Sequence, residues 1–388
     1  MQIGVGISRE TEPLLAGRDA SRQALYNLKS PKADLAIVFN CAGSYSKETL
    51  KVISSYIGDI PIFGCGGTAI ICDYGILKHG LIIMLISLVT GENFTIASAA
   101  AGGGKNPSQA AEELSDKLIA GFQNIRRDFG IILTDQKTDF MSGLQKRLGK
   151  SFPMVGGYLS DTFLPQKNSL YSNMENSQDA IIGMLWAGKI NFGIGAAHGW
   201  KPLGKPRQVT ASDDNVVYEI DGQPAINIYK EYFAKDSSGI NESLRRISIL
   251  YPLGIHLDEE YLLRNITCVN NNGSLSFQGN IPVGSWVRLM IGTKESCLNA
   301  TRQAIAEAQQ NLDLGKIKFV LVFNSISRYI LLGRHAKHEI EILRKGIPGH
   351  AQLLGIYTHG EIAPLKGLNY QGTSLLHNQT ISVLAVTG

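Results

Sequence analysis

Three stretches decide the fold: Leu35-Ala36-Ile37-Val38-Phe39-Asn40, Gly130-Ile131-Ile132-Leu133-Thr134-Asp135 and Phe319-Val320-Leu321-Val322-Phe323-Asn324. Each is apolar without alternation and ends on a polar residue. That is the pattern of a strand buried on both faces whose C-terminal end reaches a site. The flanks recur as well. Helix-like segments over 14–28, 107–121 and 294–311 precede the three stretches, and in the second Ala111, Leu114, Leu118 and Phe122 fall at three- and four-residue spacing. Downstream of each comes another helix-like stretch, then an apolar segment ending in glycine: Pro61-Ile62-Phe63-Gly64, Pro153-Met154-Val155-Gly156 and Leu353-Leu354-Gly355. A further apolar strand closes each unit, over 81–88, 180–187 and 380–386.

Opening strands are expected at 2–7, 94–100 and 286–291. The chain therefore reads as an α/β protein of three repeated strand-helix-strand-helix-strand-strand units, in mixed sheets covered by helices. The links Thr90-Gly91-Glu92 and Gly188-Lys189 read as hairpin turns. By the same logic the last strand, 380–386, is expected to pair with 2–7 and bring the two chain ends side by side. Between the second and third units lies an α+β insertion of about 95 residues, roughly 190 to 285. It opens with a hairpin-like strand at 190–198 and closes in a meander turned at Asn271-Asn272-Gly273, a strong turn signal. The resulting domains are 1–215, holding two units, and 216–388, holding the insertion and the third.

Composition limits the function classes. The 388 residues suit two or three domains, and 44% hydrophobic with 18% charged residues excludes a disordered chain. Lysine and arginine total 37 against 33 acidic residues, so the net charge of +4 lacks the basic footprint of a nucleic-acid binder. Five cysteines form no CxxC and leave an odd one over, which argues for free thiols in a reducing compartment. The N-terminus has no secretory pattern, and the longest apolar run, 81–89, is far short of the ~20 residues a spanning helix needs. A soluble cytoplasmic protein without membrane insertion is expected.

Catalytic signatures are sparse. Gly102-Gly103-Gly104-Lys105 lacks the remaining glycine and the Ser/Thr of a phosphate loop, and reads as a turn. Gly193-Ile194-Gly195-Ala196-Ala197-His198 misses the last glycine of the dinucleotide fingerprint. No GxSxG elbow exists. Cys41 and Cys65 stand at strand ends, where a nucleophile of an uncharacterised enzyme could sit; a small buried hydrophobe is the plainer reading. His335 and His338, with Glu339 beside them, are expected on a charged, solvated helix face.

The densest polar cluster lies in the last 70 residues. Asn324, Ser325 and Arg328 follow a buried strand, and Tyr357, His359 and Glu361 follow the next, with His377 shortly after. Ligands of open α/β sheets bind outside strand C-terminal ends. Arg328 offers a planar fork to a carboxylate and Glu361 an acceptor for an ammonium group. The structural alternative is that Arg328 and Glu361 pair with each other.

The same residues resemble the FIST sensory domain family over nearly the whole chain. The resemblance rests on Ser325 to Arg328, on Gly355 to Ile362, on His377 to Thr380, on Asp221-Gly222-Gln223-Pro224-Ala225, and on Phe63-Gly64-Cys65 with Val155-Gly156-Gly157. It implies a FIST N-like and a FIST C-like half and a bacterial or archaeal input module that binds small, amino-acid-like ligands without catalysis. Ligand contacts would fall to Asn324, Ser325, Arg328, Tyr357, His359 and Glu361. As an alternative it implies a haem-binding nitric-oxide sensor that regulates a histidine kinase in a two-component system. Two departures from the family pattern are Gly66-Gly67-Thr68-Ala69-Ile70, where many members carry Thr/Ser-x-Gly-Glu, and His359, where an aromatic is common. His359 is then the leading axial ligand and His377 its rival.

Overall fold

The computed structural model describes residues 1–41, 47–102, 105–122, 125–136, 140–159, 169–173, 175–233, 246–365 and 372–388. Gly103 and Gly104 of the glycine turn lie outside the described residues. Among the described residues the strands form three six-stranded mixed sheets and a fourth, antiparallel one. The first sheet runs Gln2–Ser8, Leu81–Ser87, Leu35–Cys41, Ile62–Gly67. The second runs Asn93–Ala100, Ala180–Ala187, Arg127–Thr134, Met154–Tyr158. The third runs Phe192–Ala197, Ile381–Thr387, Ile317–Ser325, Gln352–Thr358. In each, the closing strand lies antiparallel between the opening strand and the second, and the second is parallel to the third.

Each sheet is completed by a hairpin from another part of the chain. Leu170–Ser172 with Glu175–Ser177 joins the first sheet, Gly360–Pro364 with Ser374–His377 the second, and Ile70–Cys72 with Gly75–Leu77 the third. This exchange ties the three sheets into one body around a shared core. Leu35, Ile37 and Phe39, Phe129, Ile131 and Leu133, and Phe319, Leu321 and Phe323 all point into that core. The intervening residues point outward to the helices: Ala36 and Val38, Ile132, Val320 and Val322. The uninterrupted apolar runs thus reflect two buried faces, as their pattern requires.

Three expectations are corrected. The opening strand of the third sheet is Phe192–Ala197, whereas Trp286–Gly292 belongs to the fourth sheet, between Trp200–Asp213 and Leu253–Leu257. The separate sheet therefore spans Trp200 to Gly292, inside the third unit. The links at 90–92 and 188–189 are not hairpin turns, because each closing strand already has both edges hydrogen-bonded and the chain must step to the next sheet. For the same reason Ile381–Thr387, flanked by Phe192–Ala197 and Ile317–Ser325, does not pair with Gln2–Ser8. Met1 and Gly388 nevertheless lie side by side, a Cβ on Gly388 falling 2.6 Å from that of Met1.

Helix Lys294–Gln309 explains why glycine stands at 193 and 195. Thr293 and Ser296 close a capping box at its start, and Ala300, Ala304 and Ala308 line its buried face. Those small residues bring the helix backbone onto strand Phe192–Ala197, where a Cβ on Gly195 would lie 1.9 Å from the Ala304 carbonyl oxygen. The failed dinucleotide motif is a packing device. Helix Pro13–Asn27 repeats it, with Gly6 against the Ala20 carbonyl. Gly195→Ala is expected to push the helix outward and cost about 1–3 kcal/mol, read as a lower Tm in thermal unfolding.

Candidate functional site

Arg328 sits on helix Ile326–Leu332, directly after the buried strand Ile317–Ser325, and is completely buried. All three of its nitrogens donate to protein acceptors. Nε donates to Asn324 Oδ1 at 3.0 Å and Nη1 to the His198 carbonyl at 2.7 Å. Nη2 reaches the Cys297 carbonyl at 2.8 Å, the Thr301 hydroxyl at 2.8 Å and Glu339 Oε1 at 2.6 Å. Asn324 Nδ2 donates to the other Glu339 oxygen at 2.7 Å. The partner of Arg328 is therefore Glu339 and not Glu361. Glu339 is also not on a solvated face: it is fully buried, while His335 and His338 form a ring pair 5.4 Å apart on the same segment. Its signal was present in the sequence. In helix Ala336–Gly346 the buried positions are Ala336, Glu339, Ile340 and Leu343, so a carboxylate occupies the apolar stripe.

Glu361 forms a second buried group. Its Oε1 accepts the Thr358 hydroxyl at 2.8 Å and its Oε2 the Thr380 amide at 3.0 Å. Burial pushes its carboxyl up to about 8 despite those donors and the nearby Arg328. Ser325 is buried between the two groups, its amide donating to the Thr380 carbonyl at 3.0 Å. Tyr357 is buried as well, its ring 5.1 Å from that of Tyr329. Asn324, Ser325, Arg328, Tyr357 and Glu361 thus share one interior polar region.

The His377 to Thr380 segment fastens the fourth sheet to the other three. Asn378 Oδ1 accepts the Asn265 amide at 3.1 Å, and Gln379, with φ of 56°, donates to the Ser248 and Ile249 carbonyls at 2.9 and 3.0 Å. Arg264 Nη1 returns a bond to the Leu376 carbonyl at 3.0 Å, and Gln278 Nε2 to the His359 carbonyl at 2.7 Å.

Beside this junction opens a cleft of about 550 Å³. Glu259 and Glu260 border it from the turn of the fourth-sheet hairpin, and Glu295 and Asn299 from the first turns of helix Lys294–Gln309. Lys201 of the fourth sheet, His377 of the second, and His198 and Thr380 at ends of third-sheet strands complete it. Two of its residues lead directly inward: the His198 carbonyl accepts Arg328, and the Thr380 amide donates to Glu361. Sequence reasoning missed the cleft because its lining comes from separate stretches near residues 200, 260, 295 and 377, none of which carries a local pattern.

The family model for the FIST N domain matches residues 34–223, and that for the FIST C domain residues 225–364. The chain belongs to the FIST family. FIST domains are sensory, small-ligand-binding domains. The chain is similar to an uncharacterised protein of Mycobacterium bovis, 23% identical over 405 residues covering 99% of this chain and 98% of that one. It is also similar to an uncharacterised protein of Mycobacterium tuberculosis, 22% identical over 405 residues and 99% of both chains. An uncharacterised protein of Methanocaldococcus jannaschii is 25% identical over 273 residues, 63% of this chain and 51% of its own length. Among solved structures, a cyanuric acid hydrolase from A. caulinodans aligns over 100% of this chain and 99% of its own, with a TM-score of 0.38 and 9% identity. A likeness that weak carries no chemistry.

The residues of this FIST protein do not fit a porphyrin. The His359 ring is buried edge-on to Tyr158 and does not border the cleft. His377 does border the cleft, but Lys201, Glu259, Glu260 and Glu295 around it make a charged rim where a porphyrin face needs apolar walls. The thiols fit a nucleophile no better. Burial pushes Cys41 up to about 12 and Cys65 higher still, so neither is a thiolate at neutral pH. Among the described residues no helix is long and apolar enough to cross a membrane.

Proposed function

We propose that this FIST protein is a non-catalytic intracellular sensor that holds an amino-acid-like ligand in the 550 Å³ cleft and passes its bound state to a partner protein. The observation that carries the reading is the construction of the cleft. Its lining joins Glu259 of the fourth sheet to Thr380 at the start of a third-sheet strand, so a ligand bridging the two favours one relative placement of those sheets. A ligand shifts an equilibrium only by its differential affinity for the states, and a cleft shared by two sheets supplies that difference. Both charge signs are present on its walls, as a zwitterion requires. Five free cysteines suit a reducing compartment.

The interior residues Asn324, Arg328 and Glu361 act in this reading as positioning groups. They hold the His198 carbonyl and the Thr380 amide where the cleft needs them. The test is a thermal-shift screen of the twenty amino acids. A ligand present at about 100 times its Kd adds about 2.7 kcal/mol to native-state stability, so at least one is expected to raise the Tm. The shift is expected to vanish in Asn299→Ala, whose side chain borders the cleft and is exposed. Twenty flat responses would sink the reading.

A further inference from the structure

Helix Lys294–Gln309 serves two surfaces. Glu295 and Asn299 border the cleft, while Leu298 and Arg302 line a second groove of about 560 Å³. His338, Glu341, Ile342 and Lys345 of helix Ala336–Gly346 form its other wall. The two helices run side by side in the same direction. The Thr301 hydroxyl donates to Glu339 Oε1 at 3.0 Å, and further along a Cβ on Gly346 would lie 3.0 Å from Ile305. The shared face from Lys294 to Ile305 is about 16 Å long, or about three helical turns. Leu298 and Ile342 are the half-buried apolar residues that line the groove.

The rim of the groove is cationic. Arg302 and Lys345 stand along it, and Lys294, Arg334 and Lys337 surround His335, whose ring lies 5.4 Å from that of His338. All five cations are exposed, and among the described residues none has an ion-pair partner. Glu341 is the one carboxylate among the described lining residues. Partial burial, then Lys294, His338, Arg334 and Lys337, hold the His335 imidazole below its usual range. The chain as a whole carries only +4, so this concentration of positive charge is local. Both walls are also tied to the cleft. Glu339 holds Arg328, which holds the His198 carbonyl there. Trp200 borders the cleft and packs in one cluster with Cys297 and Leu298 of one wall and Ala336 of the other. Groove and cleft thus share packed elements, through which coupling can travel.

We propose that the groove between helices Lys294–Gln309 and Ala336–Gly346 is the docking surface for an acidic amphipathic helix of a partner protein. An apolar stripe at i, i+3, i+4 and i+7 lies on Leu298 and Ile342, as in other helix-in-groove complexes. Carboxylates on its flanks meet Arg302, Lys345 and the cations around His335, which relieves their mutual repulsion and steers the encounter. Parallel walls about three turns long suit a helix of the same length. A docked helix favours one spacing of the two walls, and both walls reach the cleft, so this face carries the output of the sensor. That role rests on the sensor reading; the docking itself does not.

Fluorescence anisotropy of a labelled helical peptide of about 15 residues, with leucine at that spacing and glutamate elsewhere, tests the surface on the full chain. Binding is expected, weaker as salt rises, and at least about tenfold weaker in Arg302→Glu/Lys345→Glu. Both residues are exposed, so that variant keeps its Tm. The control Lys47→Glu/Lys51→Glu, on the exposed side of helix Lys47–Ile57, is expected to bind as the parent does. Equal affinity in the groove variant, or an equal loss in the control, overturns the surface. No peptide binding overturns the acidic helix, and binding of phosphatidylserine vesicles or self-association in sedimentation would then name the other occupant. An amino acid that raises the Tm in the thermal-shift screen is expected to change the peptide affinity. An unchanged affinity overturns the output role and leaves the sensor reading standing. A flat screen with the peptide still bound overturns the sensor reading and leaves the docking surface standing.

Discussion

Arg328→Ala is expected to lose about 3–5 kcal/mol of folding stability, because it leaves Glu339 charged, buried and without its counter-ion. The guanidinium also satisfies the His198 and Cys297 carbonyls, which belong to a strand end and a helix first turn. Glu339→Ala is expected to cost a similar amount, stranding Arg328 and the Asn324 amide group. The double substitution Arg328→Met/Glu339→Leu is expected to recover much of the loss, since an apolar pair of similar volume carries no desolvation penalty. Urea unfolding of the four proteins reads these differences. A single substitution that leaves the midpoint unchanged would mean that the ion pair contributes nothing to the fold. Loss of ligand response in Arg328→Ala would therefore report loss of structure, so the exposed cleft residues are the place to test binding.

Strand content and burial were legible in the sequence because they depend on neighbours within one element. Residues 35–39, 131–133 and 319–323 are apolar at every position, and such a run has few ways to fold except as a strand covered on both sides. The helices expected over 107–121 and 294–311 were legible for the same local reason, and the structure ends them at Ala120 and Gln309. Strand order was not legible, since it turns on which edges remain free after the other strands have paired. Trp286–Gly292 and Phe192–Ala197 both read as strands, and only the packing of Ala304 on Gly195 says which one opens the third sheet. The candidate site was half legible. Asn324, Ser325, Arg328, Tyr357 and Glu361 do gather, but as an interior framework. The open surface beside them is made by Glu259, Glu295 and Lys201, which carry no local pattern and become neighbours only through the attachment of the fourth sheet.

Stability is expected to peak near about pH 6.5 and fall on both sides, with Glu361 responsible for the alkaline limb. Burial raises its carboxyl from 4.5 to about 8, so the fold favours the neutral acid. Its contribution is complete below about pH 4.5 and is lost as pH rises through about 8, a loss of at most about 5 kcal/mol at 1.36 kcal/mol per pH unit. The acid limb has the opposite origin. Burial lowers His198 and His359 to about 4 and His377 to about 3, so the fold favours neutral imidazoles. Their contribution is present above about pH 6.5 and is lost as pH falls toward 4. Glu361→Gln separates the limbs. The amide oxygen still accepts from Thr358 or Thr380 but no longer ionises. In a series of thermal melts from about pH 5 to 9, the variant is expected to keep the acid limb and hold its Tm between about pH 6.5 and 8, where the parent declines. A parent protein whose Tm is level over that alkaline range would show that Glu361 ionises in the fold as it does in water, and that the interior around Thr380 is open to solvent.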